Sequence, residues 1–425
     1  MENKIQNANI LKKLIAFVLS FGPGIFAIGY TIGTGSVTSM IVAGSSFGMQ
    51  LLWVLLLSCF FSGLLIYTYG KYTLVTGETA LFGFKKHLKG GKLIALLIVI
   101  GISFGQWNSL TGILGISSNM LFEILALYFP SISDNEYSIV LGIAIAVIII
   151  FYALLMVGKY DFFEKILVIF VTIMGLSFIV SLFFVFPQPA EIINGLIPTI
   201  PDVEGGKMLT VAFVGTTMAA ATFLSRPLFV IGKGWTIKDL KKQKNDSITA
   251  AVLVFVISGS IMAVACGALF HEGKVVTRVL DMVHTLDPIA GRFALSIFVF
   301  GTLSAGLSSI FPCLMIAPLL LADYQSGKLD TNSKQFRIVT AIASVVALLV
   351  PITGQNPIQA QILTQVFNVF VLPLVVIGII LLVNNAKRMG EHKISWPVNV
   401  GLILAFIFSL VISYNGAIAV MEYFS

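Results

Sequence analysis

Long apolar runs separated by short polar joints set the pattern of this chain. Eleven runs are long enough to cross a bilayer, which takes about 20 residues of helix. They cover residues 15–46, 51–74, 92–127, 138–156, 164–187, 207–232, 247–270, 290–322, 335–353, 360–384 and 396–421. Within each run the apolar residues are continuous rather than alternating in twos, which excludes a membrane β-barrel. An all-α polytopic membrane protein is expected. The third and eighth runs are long enough to tilt or to end in a short interfacial piece. Ten of the eleven divide into two sets of five, and an odd number inverts the second set relative to the first, a 5+5 inverted repeat plus an eleventh helix. One transmembrane transporter domain is expected over residues 1–425. Its first repeat spans about 15–187, its second about 207–384, and the extra helix about 396–421.

The first run carries a local contradiction. Phe21 to Gly44 holds no charge, yet its middle reads Gly29, Gly33, Thr34, Gly35, Ser36. Glycine costs roughly 1 kcal/mol against alanine inside a helix. Two readings follow. The helix opens there, as in transporters whose broken helices hold the substrate, or the glycines form a close packing face against another helix. In an inverted repeat the sixth run mirrors the first. It places Gly215, Thr216 and Thr217 mid-run and Pro227 late, but Ala219, Ala220 and Ala221 between them favour helix.

Charge then fixes an expected orientation. With the N-terminus inside, cytoplasmic joints hold 21 of the 26 basic residues, and external joints hold Lys207, Lys274, Arg278 and Arg292. Such a bias predicts a cytoplasmic N-terminus and an external C-terminus in the cell's inner or plasma membrane. Met1 to Asn9 is polar and the first apolar run is too long for a signal segment, so no cleavable signal is expected. Cys59, Cys266 and Cys313 sit in apolar runs and read as small buried hydrophobes, with no metal site expected. There is no phosphate loop, nucleophile constellation or nucleic-acid motif, so neither an enzyme nor a nucleic-acid partner is expected. The lysine-rich joint Lys233–Lys244 reads as a solvated face beside lipid headgroups.

Candidate chemistry lies in the few polar residues at depth. The acidic residues fall in joints or at run edges, and none falls mid-run in the first or sixth. Arg226 is then the one charge read as well buried. It is either a forked donor for a carboxylate or carbonate-like anion, or a group that snorkels or pairs with Glu164 or another acid. Free N–H groups at the Gly33–Ser36 break would also suit an anion. Thr217, Thr222, Asn108, Gln365 and Asn368 are further candidates to line a pathway.

Stretches along nearly the whole chain resemble one family. They include GPGIFAIGYTIGTGS, LVTGETALFGFKKHL, GKYDFFEKILVIFV, KNDSITAAVLVFVISGSIMAVACGALF, SAGLSSIFPCLMIAPLLLADY and TQVFNVFVLPLVVIGIILL. In order and spacing they are similar to the Nramp (natural-resistance-associated macrophage protein) family, which implies a LeuT-type (APC) fold and transport by alternating access. The family's first-span Asp-Pro-Gly-Asn metal motif aligns with Gly33, Thr34, Gly35 and Ser36. Its sixth-span Met-Pro-His motif aligns with Ala219, Ala220 and Ala221, and a later histidine with Arg226. The resemblance also implies that the tenth span, with Gln365 and Asn368, lines the site, and that Ser308 and Ser309 form a coupling site for Na+. With the family's ligands replaced, the expected substrate is a small anion or zwitterion such as bicarbonate, a small carboxylate or an amino acid. The alternatives are a divalent metal ion of the Mg2+ or Mn2+ type, as in the family, and a non-transporting sensor. No resident cofactor is expected.

Overall fold

The computed structural model describes residues 24–157, 160–201, 205–278, 281, 287–328 and 330–424. The start of the first predicted run, with Lys4, Lys12 and Lys13, lies outside the described residues, as does Lys159.

The described chain is helical throughout. In order it forms α1 Gly24–Thr31, α2 Thr34–Phe47, α3 Leu52–Thr76, α4 Ala80–His87, α5 Gly91–Tyr128 and α6 Glu136–Met156. Then come α7 Tyr160–Phe184, α8 Pro189–Asn194, α9 Gly206–Thr217, α10 Ala220–Gly232, α11 Leu240–Leu269 and α12 Asp287–Ser326. The last third forms α13 Lys334–Ala347, α14 Leu349–Thr353, α15 Pro357–Asn368, α16 Leu372–Val383, α17 Ala386–Met389 and α18 Trp396–Phe424. Among the described residues ten spans are long and apolar enough to cross a membrane, and they match the second to eleventh predicted runs one for one. The first run is described as the two short helices α1 and α2.

The outer faces of these helices are apolar. Phe60, Leu93, Phe104, Ile149, Phe183 and Val345 all project outward. Water would drive such a surface to aggregate, whereas lipid tails solvate it, and the chain is an integral membrane protein. The interrupted segments are the opposite. The α9–α10 segment is almost wholly buried, so its packing comes from protein on all sides. Close approach is bought with glycine. A Cβ on Gly44 of α2 would stand 2.4 Å from the Met262 carbonyl oxygen of α11, and one on Gly215 of α9 would stand 1.9 Å from the Gln365 carbonyl oxygen of α15. Any side chain there would push the helices apart.

Hydropathy misplaces one boundary with consequence. The seventh run starts at 247, but α11 starts at Leu240, two turns earlier. Those turns are polar, so a bilayer criterion omits them although the helix continues. Gln243 and Asp246 are therefore helical and buried, not part of a solvated joint.

Candidate functional site

Both interruptions occur mid-span and at the same level. In the first, α1 ends at Thr31 and α2 starts at Thr34, with Gly33 extended at φ −83° and ψ −173°. In the second, α9 ends at Thr217, Met218 leaves the helix at φ −101° and ψ 44°, and Ala219 is extended at φ −63° and ψ 115°. The Thr216 hydroxyl donates to the Thr31 carbonyl across 3.5 Å, tying one break to the other.

A cavity of about 20 Å³ lies between the breaks. That is room for one water-sized occupant or a bare ion. Gly33, Gly35, Thr216 and Ala219 line it from the two breaks, and Ile113 of α5 adds an apolar wall. From α15 come Gln361, Gln365 and Asn368, from α5 Ser109, and from α12 Ser309 and Cys313, with Tyr30 of α1 closing the ring. The amides are stitched together. Gln361 Nε2 donates to Ser109 Oγ at 3.0 Å, and Asn368 Nδ2 donates to Gln365 Oε1 at 3.1 Å. Ser309 Oγ donates to Ala305 at 2.8 Å and reaches the Gly29 carbonyl at 3.4 Å. Gln361 Oε1 is a buried acceptor to which no group among the described residues donates.

Electrostatics follow from these donors. The carbonyl ends of α1 and α9 and the amide ends of α2 and α10 meet here, so their opposed dipoles offset one another. Side chains decide the balance. Hydroxyl, amide and thiol groups line the cavity beside the apolar Ile113 of α5, and among the described residues no charged side chain lines it.

The buried guanidinium is engaged elsewhere. Arg226 NH2 donates to Asp246 Oδ2 at 2.6 Å and also to Gln243 Oε1. The same carboxylate oxygen accepts the Gly24 N–H at 2.9 Å, so Asp246 ties the start of α1 to α10. Trp235 stacks 5.8 Å from the guanidinium carbon. Both partners are buried, with side-chain exposures of 1% and 6%. The alternative in which Arg226 pairs with an acid is the geometry found, with Asp246 as the acid; the side chain of Glu164 lies outside the described residues. The expectation that Arg226 is the one well-buried charge fails. Asp246 is buried beside it, and Asp323 is fully buried where Thr79 donates to it. Each carboxylate sits in a polar run edge that the fold draws inward.

Of the sequence candidates, Gly33, Gly35, Ala219, Ser309, Gln365 and Asn368 line the cavity. The others point elsewhere. Ser36 Oγ meets Ser258 Oγ at 3.3 Å on α11, Asn108 Nδ2 donates to Phe104, and Ser308 Oγ donates to Ala305. Thr34, Thr217 and Thr222 are buried outside the lining, and the Thr217 carbonyl accepts from Ser62 at 2.7 Å. Sequence reasoning passed over Tyr30, Ser109, Cys313 and Gln361. Gln361 had a signal, since it lies four residues before Gln365 and so shares its helix face.

One further polar cluster closes an end of the bundle. Glu78, in the joint between α3 and α4, receives Lys86 Nζ at 2.7 Å, Arg388 at 2.9 Å and His87 Nε2 at 2.9 Å. Burial works against the Glu78 carboxylate, but the Lys86 and His87 hydrogen bonds and the Lys86 and Arg388 charges outweigh it. They hold the group below the usual carboxylate range.

Comparison with known proteins agrees with this fold. The family model for natural resistance-associated macrophage protein-like proteins matches residues 24–419. A Vibrio campbellii protein named divalent metal cation transporter MntH is 25% identical over 421 residues, covering 98% of this chain and 95% of its own. A Listeria welshimeri protein of the same name is 24% identical, covering 95% and 91%. Among solved structures, the Eremococcus coleocola manganese transporter in complex with an aromatic bis-isothiourea substituted compound superposes with a TM-score of 0.72. Its identity is 15%, with 95% of this chain and 86% of that one covered. MhsT in complex with L-phenylalanine superposes at 0.62 with 14% identity, covering 94% and 98%. These structures share the LeuT-type fold with this chain.

Proposed function

Since the chain belongs to the Nramp family, we propose that it carries a divalent metal cation across the membrane by alternating access, through the cavity between the two breaks. This replaces the anionic or zwitterionic substrate expected from the sequence. Relatives covering nearly the whole chain are named divalent metal cation transporters, which overturns that expectation. The physical ground for it has also gone, because the Arg226 charge is taken up by Asp246 and does not face the cavity.

The observation that carries the proposal is the cavity's lining. Hydroxyl and amide groups and one thiol share with Ile113 the lining of a space for a single ion, and among the described residues no cationic group faces it. Oxygen donors of this kind suit hard divalent ions such as Mg2+ and Mn2+. Without a carboxylate in the lining, full dehydration of a double charge is costly. The ion is therefore expected to bind weakly and to keep part of its water. Ser309, against the Gly29 carbonyl, is the one member of the Ser308–Ser309 pair that reaches the cavity.

The test is Mn2+ and Mg2+ uptake into proteoliposomes holding the purified protein, with a Na+ or a pH gradient imposed in turn. Saturable uptake of either ion, abolished by Gln361→Ala, is expected. Absence of uptake of both ions under both gradients would overturn the proposal.

A further inference from the structure

At the far end of α11 the fold assembles three metal-ligating side chains outside the cavity. Cys266 lies in the last turn of α11, His271 in the 3-10 turn Phe270–Glu272 that follows, and Glu191 in α8, 75 residues before Cys266. Twenty residues separate Cys266 from Asp246 along one helix, so this cluster is about 30 Å from the Arg226 pair.

The three groups converge. His271 Nε2 stands 3.3 Å from Glu191 Oε1, and Cys266 Sγ donates to Glu191 Oε2 at 3.8 Å. The sulfur, carboxylate and ring nitrogen atoms all lie within 4.8 Å of one another. Bond lengths of about 2.3 Å to sulfur and about 2.0 Å to nitrogen and oxygen put tetrahedral ligand atoms roughly 3.3–3.5 Å apart. The His271–Glu191 separation already matches that edge, the sulfur lies 3.8 Å from the other carboxylate oxygen, and a small turn of the half-exposed His271 ring would close the rest. Glu191 is also held in place, because its Oε2 accepts the Gln188 N–H at 3.0 Å in a capping box that fixes the start of α8. Cys266 is fully buried while His271 is about half exposed, so sulfur forms the floor and imidazole the open side.

We propose that Glu191, Cys266 and His271 form a binding site for a borderline-soft divalent cation such as Zn2+, distinct from the transport cavity. The donor set of thiolate, imidazole and carboxylate selects that class over Mg2+ or Ca2+. Three protein ligands leave the fourth position to water. On binding, the metal takes the place of the Cys266 thiol proton, which now points at Glu191 and is released to solvent. The neighbouring Phe270 ring lies against Gly48, just after α2, so the site adjoins the half-helix that begins at the first break.

Co2+ is the probe, because a cobalt–thiolate bond absorbs in the near ultraviolet and a cobalt site without sulfur does not. Purified full-length protein titrated with Co2+ is expected to show that band at one ion per chain and to lose it on adding Zn2+. Cys266→Ser should abolish the band with an unchanged size-exclusion profile. His271→Ala should weaken binding tenfold or more, and Cys59→Ser should change nothing. No band in the native protein would overturn the proposal. So would a band that survives Cys266→Ser and disappears in Cys313→Ser, since the sulfur would then be that of the transport cavity. Mn2+ uptake is read separately, so failure here and failure of the transport reading are distinguishable.

Discussion

The two breaks face one cavity but are made by different chemistry. The first falls in a glycine-rich stretch, Gly29 to Gly35, and the second beside an alanine run. Neither break uses the backbone freedom that glycine supplies. Gly33 is extended, Met218 and Ala219 have negative φ, and none of the described positive-φ residues lies at either break. The glycines of the first break supply space instead. A Cβ on Gly33 would stand 2.1 Å from Ser309 Oγ, and one on Gly35 would stand 2.3 Å from Gln365 Nε2. At the second break α15 crosses Gly215 just as closely, and the helix is interrupted after Thr217 although the Ala219–Ala221 run favours helix. Composition marks the first break because several glycines fall together there, whereas at the second the single Gly215 admits the neighbour beside residues that favour helix.

The strongest way to separate the breaks is to cut the link between them. Asp246 joins the start of α1 to α10 through Gly24 and Arg226. Arg226→Ala takes the guanidinium away from a buried carboxylate, and breaking a buried pair from one side costs about 3–5 kcal/mol. A marked fall in the thermal unfolding midpoint is expected. Arg226→Met with Asp246→Asn removes both charges while Asn still accepts the Gly24 N–H, and most of the midpoint should return. A double variant as unstable as Arg226→Ala would show that charge pairing is not what holds the two half-helices.

Next in size is a contrast between the glycines. An added methyl on Gly215 meets backbone, which cannot step aside, so Gly215→Ala is expected to cost about 1–3 kcal/mol as overpacking. The same methyl on Gly35 meets the ends of two side-chain amides, which can rotate away. Gly35→Ala should leave the unfolding midpoint nearly unchanged and reduce Mn2+ uptake, because the displaced amides are those of the cavity. Equal stability losses at both positions would erase the contrast.

These outcomes also bear on how far a sequence discloses such a site. The membrane spans were legible because lipid imposes one simple rule, a long apolar helix. The first break was legible because its glycines are out of place in a helix. Gln361, Ser109 and Cys313 were harder, since a lone polar residue in a span looks the same whether it lines a cavity or stitches two helices. The Arg226–Asp246 pair was missed for another reason. Hydropathy marks where a helix meets lipid, not where it ends, so two polar turns of α11 looked like a solvated joint. The Glu191–Cys266–His271 cluster needed the fold itself, because nothing local relates residues so far apart in the chain.

The smallest effect tests space against propensity directly, by exchanging residues between the breaks. Ala219 has dihedrals that any residue adopts, so Ala219→Gly removes one methyl and loosens the unfolded chain. It should cost about 0.4–1 kcal/mol. Gly33→Ala is the reverse exchange. The Gly33 dihedrals suit alanine, so on backbone grounds alone the exchange would stabilise by a similar amount. The geometry predicts the opposite sign, because the new Cβ collides with Ser309 Oγ. Ser309→Ala removes that oxygen but leaves its Cβ 2.9 Å from the new methyl, so it should restore only part of the loss. A Gly33→Ala protein that melts higher than the native one, with or without Ser309→Ala, would return the first break to a matter of local propensity.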